Sequence, residues 1–245
     1  MNIAGREIGK PVFIVAELSG NHGGSYNEAL RMIHTAKECG ADAVKLQTLR
    51  PEDMPDKDEA SWDGRKWIDV YREVAMPWKW HVRLKQSAES IGITLFTSVY
   101  SNEAISWLEE HGGMPAYKIP SWLCADEELL KAASLTEKPI IVSVRNHIEA
   151  GRAIHQIINL ALLVVDDVDE IEEVCVTNTR VVFEVPIGYS NHGNIADCVE
   201  AVRQGACVIE QHFTLSRDSI DGKFAATPDE FRVMVESIRE VEKTL

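Results

Sequence analysis

The fold is indicated most clearly by residues 188–213, which read GYSNHGNIADCVEAVRQGACVIEQHF. Two short strand-like runs, with polar residues and a histidine at their far ends, flank a segment whose apolar residues recur at helical spacing. That segment closes on Gly205, and glycine is a common helix stop signal. The pattern therefore predicts strand, helix and strand, with His192 and His212 at the strand ends. Neighbouring parallel strands lie about 4.8 Å apart, so the two imidazoles can approach one metal ion.

The same alternation continues along the 245 residues. The clearest predicted strands are Val12–Leu18, Ala43–Leu49, Thr94–Val99, Ala116–Pro120 and Pro139–Val144. The predicted helices are Tyr26–Cys39, Trp80–Ile91, Asn102–His111, Asp126–Ser134, His147–Ile158, Ile195–Gly205 and Pro228–Lys243. Three further runs, Leu160–Val165, Val174–Thr177 and Val181–Val185, each have strand character. About eight such repeats predict an α/β fold, a (β/α)8 TIM barrel that forms one domain over residues 1–245.

A doubly wound open sheet is the main alternative to the barrel. It is disfavoured because the first strand–helix turn, Glu17 to Gly24, lacks the glycine spacing of a dinucleotide site. The segment 51–67 interrupts the regular pattern and is rich in charged residues. We expect a long exposed loop there that serves as a lid.

Composition excludes several classes of function. The formal net charge of −14 without a basic block argues against nucleic acid as a partner, although a few lysines can still form a local anion site. The five scattered cysteines are typical of free thiols in a reducing cytosol. The N-terminus lacks the layout of a signal peptide, and no apolar run reaches membrane-spanning length. We therefore predict a cytoplasmic protein without a membrane partner.

Polar side chains follow nearly every predicted strand. They are Glu17, Lys45, Gln47, Thr97, Ser98, Lys118, Ser121, Ser143, Ser190 and Glu210. Lys45 and Lys118 each stand between apolar neighbours and should face the barrel lumen, where an unpaired ammonium is costly. With the hydroxyls around them they form a cradle for phosphate and carboxylate. The alternative is a Lys45–Glu17 ion pair, which we rank second.

His192 and His212, with Glu17 as a carboxylate ligand, predict a catalytic metal site for Mn²⁺ or Mg²⁺ that keeps open positions. The alternative is a pair of core histidines bonded to backbone carbonyls. Four further histidines in helices or loops, His81, His111, His147 and His155, are expected to face solvent.

Six segments resemble motifs of the sialic acid synthase family, which includes N-acetylneuraminate, legionaminate and pseudaminate synthases. They are Ala16–His22, Gly40–Thr48, Pro77–His81, Lys118–Ser121, Gly188–His192 and Ile209–Leu215. The resemblance extends from Val12 to Phe231, and the opening Ala16-Glu17-Leu18-Ser19 is most similar to pseudaminate synthases.

The resemblance implies a (β/α)8 barrel that condenses phosphoenolpyruvate with an N-acylated aldose. The product is a 3-deoxy-2-keto, sialic-acid-like (nonulosonic) acid, and phosphate leaves by C–O cleavage. His192 and His212 are implied to bind Mn²⁺, with Mg²⁺ or Co²⁺ as alternatives, and Glu17, Lys45 and Lys118 to be catalytic. The implied substrate-binding residues are Gln47, Thr97, Ser98, Ser121, Ser143, Ser190 and Asp221. Of the whole set, Glu17, Gln47 and Asp221 are implied to face the metal or the sugar.

The chain departs from the family mainly where the family binds the sugar. Asn191 stands in place of an Asp, Val144-Arg145 replace Thr-Gly, and Leu123 replaces an acidic residue. A Thr-Ser-x-Tyr-Pro motif after strand six has no counterpart, and we expect the C-terminal antifreeze-like domain of the family to be absent. We therefore expect a homodimer, or a separate chain that supplies the missing domain. A catalytically impaired barrel that binds an anionic metabolite, or serves as a subunit of a glycan-biosynthesis assembly, is the alternative function.

Overall fold

The computed structural model describes residues 1–9, 11–54, 58–61, 64–155, 157, 160–165, 176 and 184–245. Two of the three runs with ambiguous strand character, Val174–Thr177 and Val181–Val185, lie largely outside the described residues. The third, Leu160–Val165, is a strand.

A short antiparallel hairpin precedes a closed barrel of eight parallel strands. The hairpin consists of β1 (Asn2–Ile3) and β2 (Arg6–Glu7). The barrel strands are β3 (Phe13–Glu17), β4 (Ala43–Thr48), β5 (Thr94–Val99), β6 (Tyr117–Ile119), β7 (Ile140–Val144), β8 (Leu160–Val165), β9 (Ile187–Asn191) and β10 (Val208–His212). They follow one another in sequence order, and β10 closes the barrel against β3 with His212 beside Glu17. The TIM barrel is thereby confirmed over the open sheet.

The lower part of the barrel lumen is apolar. Alternate strand residues form one buried cluster there, and Ile3 and Ile8 from the N-terminal segment join it. The strand members are Phe13, Val15, Ala43, Phe96, Ala116, Ile141, Ala161 and Val208. Because these side chains fill the lumen, the room for a ligand is at the C-terminal ends of the strands.

Eight α-helices are present among the described residues. They are α1 (Tyr26–Glu38), α2 (Trp67–Val74), α3 (Trp80–Ser90), α4 (Asn102–Glu110), α5 (Glu127–Ser134), α6 (His147–Ile154), α7 (Ile195–Arg203) and α8 (Pro228–Glu242). Short 3₁₀ turns occur at Pro51–Asp53 and Ser121–Leu123. None of the described helices has both the length and the apolarity needed to cross a membrane.

Local hydrogen bonds explain where the outer helices begin and end. The Ser25 side chain accepts from the Glu28 backbone N–H at 3.3 Å and caps α1. Gly40 has a φ of +91°, the left-handed conformation that glycine adopts readily after a helix. At α8 the Glu230 carboxylate accepts from the Thr227 backbone N–H at 2.8 Å, as in a capping box.

Two elements were not predicted from the sequence. The strands of the hairpin are two residues each, which is too short to show a period. Helix α2 begins at the end of the segment predicted to be a lid and continues beyond it. The predicted outer helices are otherwise confirmed within a few residues at their ends.

Phe96→Ala tests the role of the apolar lower layer. Phe96 is fully buried, and removal of its ring should leave a cavity that lowers the free energy of unfolding by about 3–5 kcal/mol. Urea denaturation measures this loss. Val233→Ala, at a site that is 55% exposed, is the control and should stay within about 0.5 kcal/mol of the wild type. Equal losses for the two variants would contradict a packed lower lumen.

Candidate active site

A cavity of about 960 Å³ opens at the C-terminal ends of the barrel strands. The strands contribute Lys45, Gln47, Ser98, Lys118, Ser143, Ser190, Glu210 and His212 to its lining. The connecting segments contribute Ser19, His22, Tyr100, Ser121, Trp122, Arg145, His192, Asp221 and Lys223, among others. Active sites of parallel barrels occur at this end, because the strand ends converge there.

Four buried charges, Glu17, Lys45, Lys118 and Glu210, form the charged floor of the cavity. The Lys45 ammonium lies 2.6 Å from Glu17 Oε2 and 3.5 Å from Glu210 Oε1. Lys118 donates to the same Glu210 oxygen at 2.5 Å. The Lys45–Glu17 pair, which the sequence analysis ranked second, therefore forms. The two lysines and two glutamates balance one another, so the charged floor has no net formal charge.

Burial and opposite charges compete in setting the pKa values of the charged floor. Burial disfavours the Lys45 ammonium, but Glu17 and Glu210 outweigh it and raise its pKa. Burial would also raise the pKa of Glu210, yet Lys118 and Lys45 hold it well below its ordinary range. For Lys118 burial prevails, and it lowers the pKa to about 8 although Glu210 favours the charged form. Lys118 is thus the lysine of the floor that releases its proton more readily.

Serine hydroxyls surround the charged floor. Ser98 Oγ accepts from Lys45 Nζ at 2.8 Å, and Ser190 Oγ donates to Glu210 Oε1 at 3.0 Å. The buried Ser143 hydroxyl has no hydrogen-bond partner among the described residues. An ammonium has three hydrogens to donate, so Lys118 has donors beyond the one that Glu210 accepts. The oxygens of a bound anion would satisfy these groups.

Glu17 differs from its predicted position. Its Oε1 accepts from Gln47 Nε2 at 3.0 Å and from the Ser19 backbone N–H at 2.9 Å, while Oε2 pairs with Lys45. The side chain is fully buried. The structure therefore corrects the expectation that Glu17 faces the metal or the sugar. Its carboxylate instead forms an ion pair with Lys45 and accepts a hydrogen bond from Gln47.

His192 and His212 lie next to each other at the cavity, with ring centroids 5.0 Å apart. His212 Nδ1 is 2.8 Å from Asp221 Oδ2, and Asn21 accepts from the Asp221 backbone N–H at 3.0 Å. A carboxylate on one ring nitrogen fixes the ring and leaves the other nitrogen for a ligand. The ring of Phe224 packs beside both imidazoles, with centroids at 5.9 Å from His192 and 5.0 Å from His212.

Burial, reinforced by His212 and Lys118, lowers the pKa of His192 to about 3. His192 is therefore neutral at physiological pH, the form in which imidazole binds metal ions. In the described ranges, no three side chains of the His, Cys, Asp and Glu types are gathered closely enough to hold a metal ion. The predicted set of two histidines and Glu17 is thus reduced to the two imidazoles.

An uncharged wall borders the cavity on the side of α2. Met54, Trp67, Tyr71 and Val74 line it, and the rings of Trp67 and Tyr71 stack at 5.3 Å. Gly20 lies directly beneath this wall, because a Cβ there would be 2.7 Å from Val74 Cγ2. Met54 and Trp67 belong to the described part of the segment 51–67, which therefore contributes to the cavity.

The cavity gathers most of the predicted site residues. Those that line it are Lys45, Gln47, Ser98, Lys118, Ser121, Ser143, Ser190, His192, His212 and Asp221. The prediction that Thr97 belongs to the site is corrected, because Thr97 does not line the cavity. Side chains alternate along β5, so Thr97 faces the outer layer when Ser98 faces the lumen, and its hydroxyl lies 2.8 Å from Thr48 Oγ1. Thr48 Oγ1 is in turn 2.8 Å from His81 Nε2. His81 is fully buried, so the expectation that it faces solvent is wrong.

Several lining residues were not predicted as site residues. They include His22, Tyr100, Trp122, Arg145, Glu210 and Lys223. Glu210 carried a usable signal, because it alternates with His212 along one strand. Arg145 and Lys223 follow strands β7 and β10 in irregular segments, where periodicity gives no direction to a side chain.

The sequence pattern of the NeuB family matches residues 32–245. This chain belongs to the NeuB family. A pseudaminic acid synthase of Campylobacter jejuni is 32% identical over 274 residues, covering 100% of this chain and 78% of the relative. The N-acetylneuraminate-9-phosphate synthase of Homo sapiens is 30% identical, covering 98% of this chain and 74% of the relative. The family resemblance seen in the sequence is thereby confirmed.

The solved structures agree with this assignment. The N-acetylneuraminic acid synthetase of Leptospira borgpetersenii, crystallised with citrate, superposes with a TM-score of 0.90 at 27% identity. The match covers 100% of this chain and 89% of that structure. The barrel of this chain is therefore the NeuB-family barrel.

Paired substitutions in the charged floor separate its structural role from its ligand role. Lys118→Met should lower the free energy of unfolding by about 3–5 kcal/mol, because Glu210 loses its nearest partner in a buried site. Lys118→Met combined with Glu210→Gln should cost less than Lys118→Met alone, since no unbalanced carboxylate remains. Urea denaturation of the single and double variants gives the comparison.

The matched control for this cycle is the exposed Arg203–Glu200 pair on α7. Arg203→Met and Glu200→Gln should each change stability by less than about 1 kcal/mol. Strictly additive losses for the Lys118 and Glu210 substitutions would contradict a charged floor that acts as one unit.

The buried His81 makes stability depend on pH. Burial lowers its pKa from 6.5 to about 4, so the folded state holds it neutral. The stability that the neutral His81 contributes is fully present above pH 6.5 and is lost as the pH falls towards 4. The reason is that the unfolded chain, with its higher histidine pKa, takes up the proton at a higher pH than the folded state does. His81→Gln should reduce the slope of unfolding free energy against pH in this window by up to about 1.4 kcal/mol per pH unit. His34→Gln, at an exposed position, is the control, and an unchanged slope in His81→Gln would refute the assignment.

Proposed function

We propose that this NeuB-family protein condenses phosphoenolpyruvate with an N-acylated aldose to give a sialic-acid-like 3-deoxy-2-keto (nonulosonic) acid. A carbon–carbon bond forms between C3 of phosphoenolpyruvate and the aldehyde carbon. Water supplies the oxygen that adds to C2 and one proton that the aldehyde oxygen takes up. The bond from C2 to the phosphate oxygen breaks, and the second proton of the water leaves with the phosphate as the C2 ketone forms. The observation that carries the proposal is the meeting of buried lysines, serine hydroxyls and two imidazoles in one cavity. The relatives are named as synthases of such acids, which supports the reaction class.

The charged floor and its hydroxyls suit the two anionic groups of phosphoenolpyruvate. Because the floor has no net charge, affinity depends on directed hydrogen bonds more than on a positive potential. The Ser143 hydroxyl has no partner among the described residues, and Lys118 has ammonium hydrogens beyond the one that Glu210 accepts. Both residues line the cavity. Lys45, Ser98, Ser121 and Ser190 complete the cradle that we propose. Glu17 acts through Lys45 as a positioning residue, since its side chain is fully buried.

A divalent cation fits the imidazole pair. His192 is neutral and has no hydrogen bond to another described residue, and His212 is fixed by Asp221 through its Nδ1. We propose that these two nitrogens hold the ion and that substrate and water oxygens complete its ligands. Mn²⁺ suits such a mixed nitrogen and oxygen set, with Mg²⁺ or Co²⁺ as alternatives. When bound, the ion would act as a Lewis acid that polarises the aldehyde carbonyl.

The acceptor sugar is proposed to lie between the imidazole pair and the uncharged wall. Gln47 lines this part of the cavity and is fixed by its bond to Glu17. The rings of Trp67 and Tyr71 can cover the apolar faces and the acyl methyl group of a sugar and exclude water from the aldehyde. We propose that the segment 51–67 acts as a lid by this means.

The cellular setting is also a proposal. Free, buried thiols at Cys39, Cys124 and Cys198 support a cytoplasmic location. A single barrel domain over residues 1–245 agrees with the closed barrel. The expected homodimer, or separate chain that completes the sugar site, stays a prediction.

The direct test is phosphate release from phosphoenolpyruvate that carries ¹⁸O in its bridging oxygen. With Mn²⁺ and a panel of aldoses with and without N-acyl groups, we expect release with an N-acylated aldose and ¹⁸O in the phosphate. His192→Ala should lower the rate at least about a hundredfold, since the Lewis acid contributes several kcal/mol. His34→Ala, which removes an exposed histidine on α1, is the matched control and should leave the rate unchanged.

Three results would contradict the proposal. Stabilisation by phosphoenolpyruvate without turnover on any aldose would favour the non-catalytic barrel. Retention of ¹⁸O in the keto acid would exclude C–O cleavage. Trapping of a substrate on Lys45 or Lys118 by borohydride would indicate a Schiff-base aldolase.

A further inference from the structure

Two buried amides immediately precede the two histidines. Asn191 and Gln211 are partners in the register of β9 and β10, and both are fully buried. Asn191 Nδ2 donates to Gln211 Oε1 at 2.5 Å. Residues alternate along a strand, so these side chains are directed to the outer layer while Ser190 and Glu210 face the lumen. The Asn191–Gln211 pair therefore lies behind the imidazoles, outside the cavity.

Backbone groups fix the orientation of both amides. Gln211 Nε2 donates to the carbonyls of His212 and Phe224, each at 3.3 Å, and a carbonyl can only accept. Gln211 Oε1 must then face Asn191, which has to donate. A second hydrogen bond supports this orientation of the Asn191 amide, because its Oδ1 accepts from the Gly193 backbone N–H at 3.2 Å. Neither amide can be turned around without placing two acceptors together.

The pair joins three separate parts of the chain. Asn191 also donates to the Asn194 carbonyl at 3.2 Å, and so holds the turn that carries His192. Gln211 holds the end of β10 and the segment of Phe224, whose ring packs against both imidazoles. His212 has Asp221 as an additional support. His192 has no hydrogen bond to another described residue, so its position depends on the turn and on the ring of Phe224.

We propose that the Asn191–Gln211 pair is a positioning element that sets the separation of the His192 and His212 imidazoles and thereby the affinity for a divalent cation. The inference rests on the proposed function in one respect, namely that these imidazoles bind the cation. The two amides touch neither the cation nor the substrate. Supports of this kind behind metal ligands are worth about 10–100-fold in metal affinity.

The chemistry of the pair provides a rescue experiment. Asn191→Asp keeps the size of the side chain but replaces the donor with an acceptor, which faces the fixed Gln211 Oε1. The oxygen that takes the place of Nδ2 is then left without a donor, while the other oxygen still accepts from the Gly193 backbone N–H. Adding Gln211→Lys supplies a donor that can reach both the carboxylate and the Phe224 carbonyl. The double variant should therefore restore the link in a charge-assisted form.

The test is the Mn²⁺ dissociation constant, measured from the electron paramagnetic resonance signal of free Mn²⁺ without substrate. We expect Asn191→Asp to weaken binding about 10–100-fold and Asn191→Asp/Gln211→Lys to bring the constant back to within about threefold of the wild type. Gln211→Ala and Asn191→Ala are two further single variants. Their combination should weaken Mn²⁺ binding no more than the more damaging of the two single substitutions does, because the residues act as a unit.

Asp126→Ala controls for general loss of stability. Asp126 caps α5, which follows β6 in the chain, and accepts from the Leu129 backbone N–H at 3.0 Å. Such a cap is worth about 1 kcal/mol, so its removal should lower the melting temperature by a few degrees. The Mn²⁺ dissociation constant should stay unchanged. His192→Ala should remove tight binding.

The outcomes separate the two claims. If the wild type and His192→Ala bind Mn²⁺ equally weakly, the cation site of the proposed function fails and this inference fails with it. If the wild type binds tightly and the Asn191 and Gln211 variants do so equally well, this inference alone is overturned. The same conclusion follows if Asp126→Ala weakens binding as much as Asn191→Asp does, or if the double variant gives no rescue.

Discussion

The pairing of Lys45 and Lys118 with Glu17 and Glu210 is the constraint on which the rest of the site depends. Each of these charges is buried above the apolar lower layer, where an ion without a partner would be strongly disfavoured. The pairs are made between strands, so they form only when the barrel closes in its observed register. The closure of the barrel therefore also brings the four charges together.

The site is organised on two levels. The charged floor carries the donors that we propose for an anion, and because the floor has no net charge, the direction of these donors would matter more than their number. Above it, Asp221, which also lines the cavity, fixes His212, and the Asn191–Gln211 pair lies behind the two imidazoles. Glu17, which holds Lys45, and the Asn191–Gln211 pair do not themselves line the cavity. Such supports restrict side-chain motion before a ligand binds.

The features that could be predicted from the sequence are those that depend on local residue patterns. The alternation around Lys45 and Lys118 placed both lysines in the lumen, and the strand–helix–strand pattern placed His192 beside His212. The partners of the lysines could not be assigned in the same way, because Glu17 and Glu210 meet them across strands and only the register decides which carboxylate each one reaches. The inclusion of Thr97 beside Ser98 in the predicted set has a similar origin, since neighbouring residues of a strand face opposite sides. The burial of His81 depends on its tertiary contacts with Thr48 and Trp78, and these leave no periodic signal.

We propose that the charged floor and the imidazole pair bind two adjoining ligands. A crystal structure of the protein soaked with Mn²⁺ and phosphoenolpyruvate tests it most directly. We predict the phosphate and carboxylate oxygens within hydrogen-bond distance of Lys118 and Ser143, and anomalous density for Mn²⁺ on His192 and His212. Phosphoenolpyruvate bound away from the charged floor, or Mn²⁺ bound away from both histidines, would contradict the account.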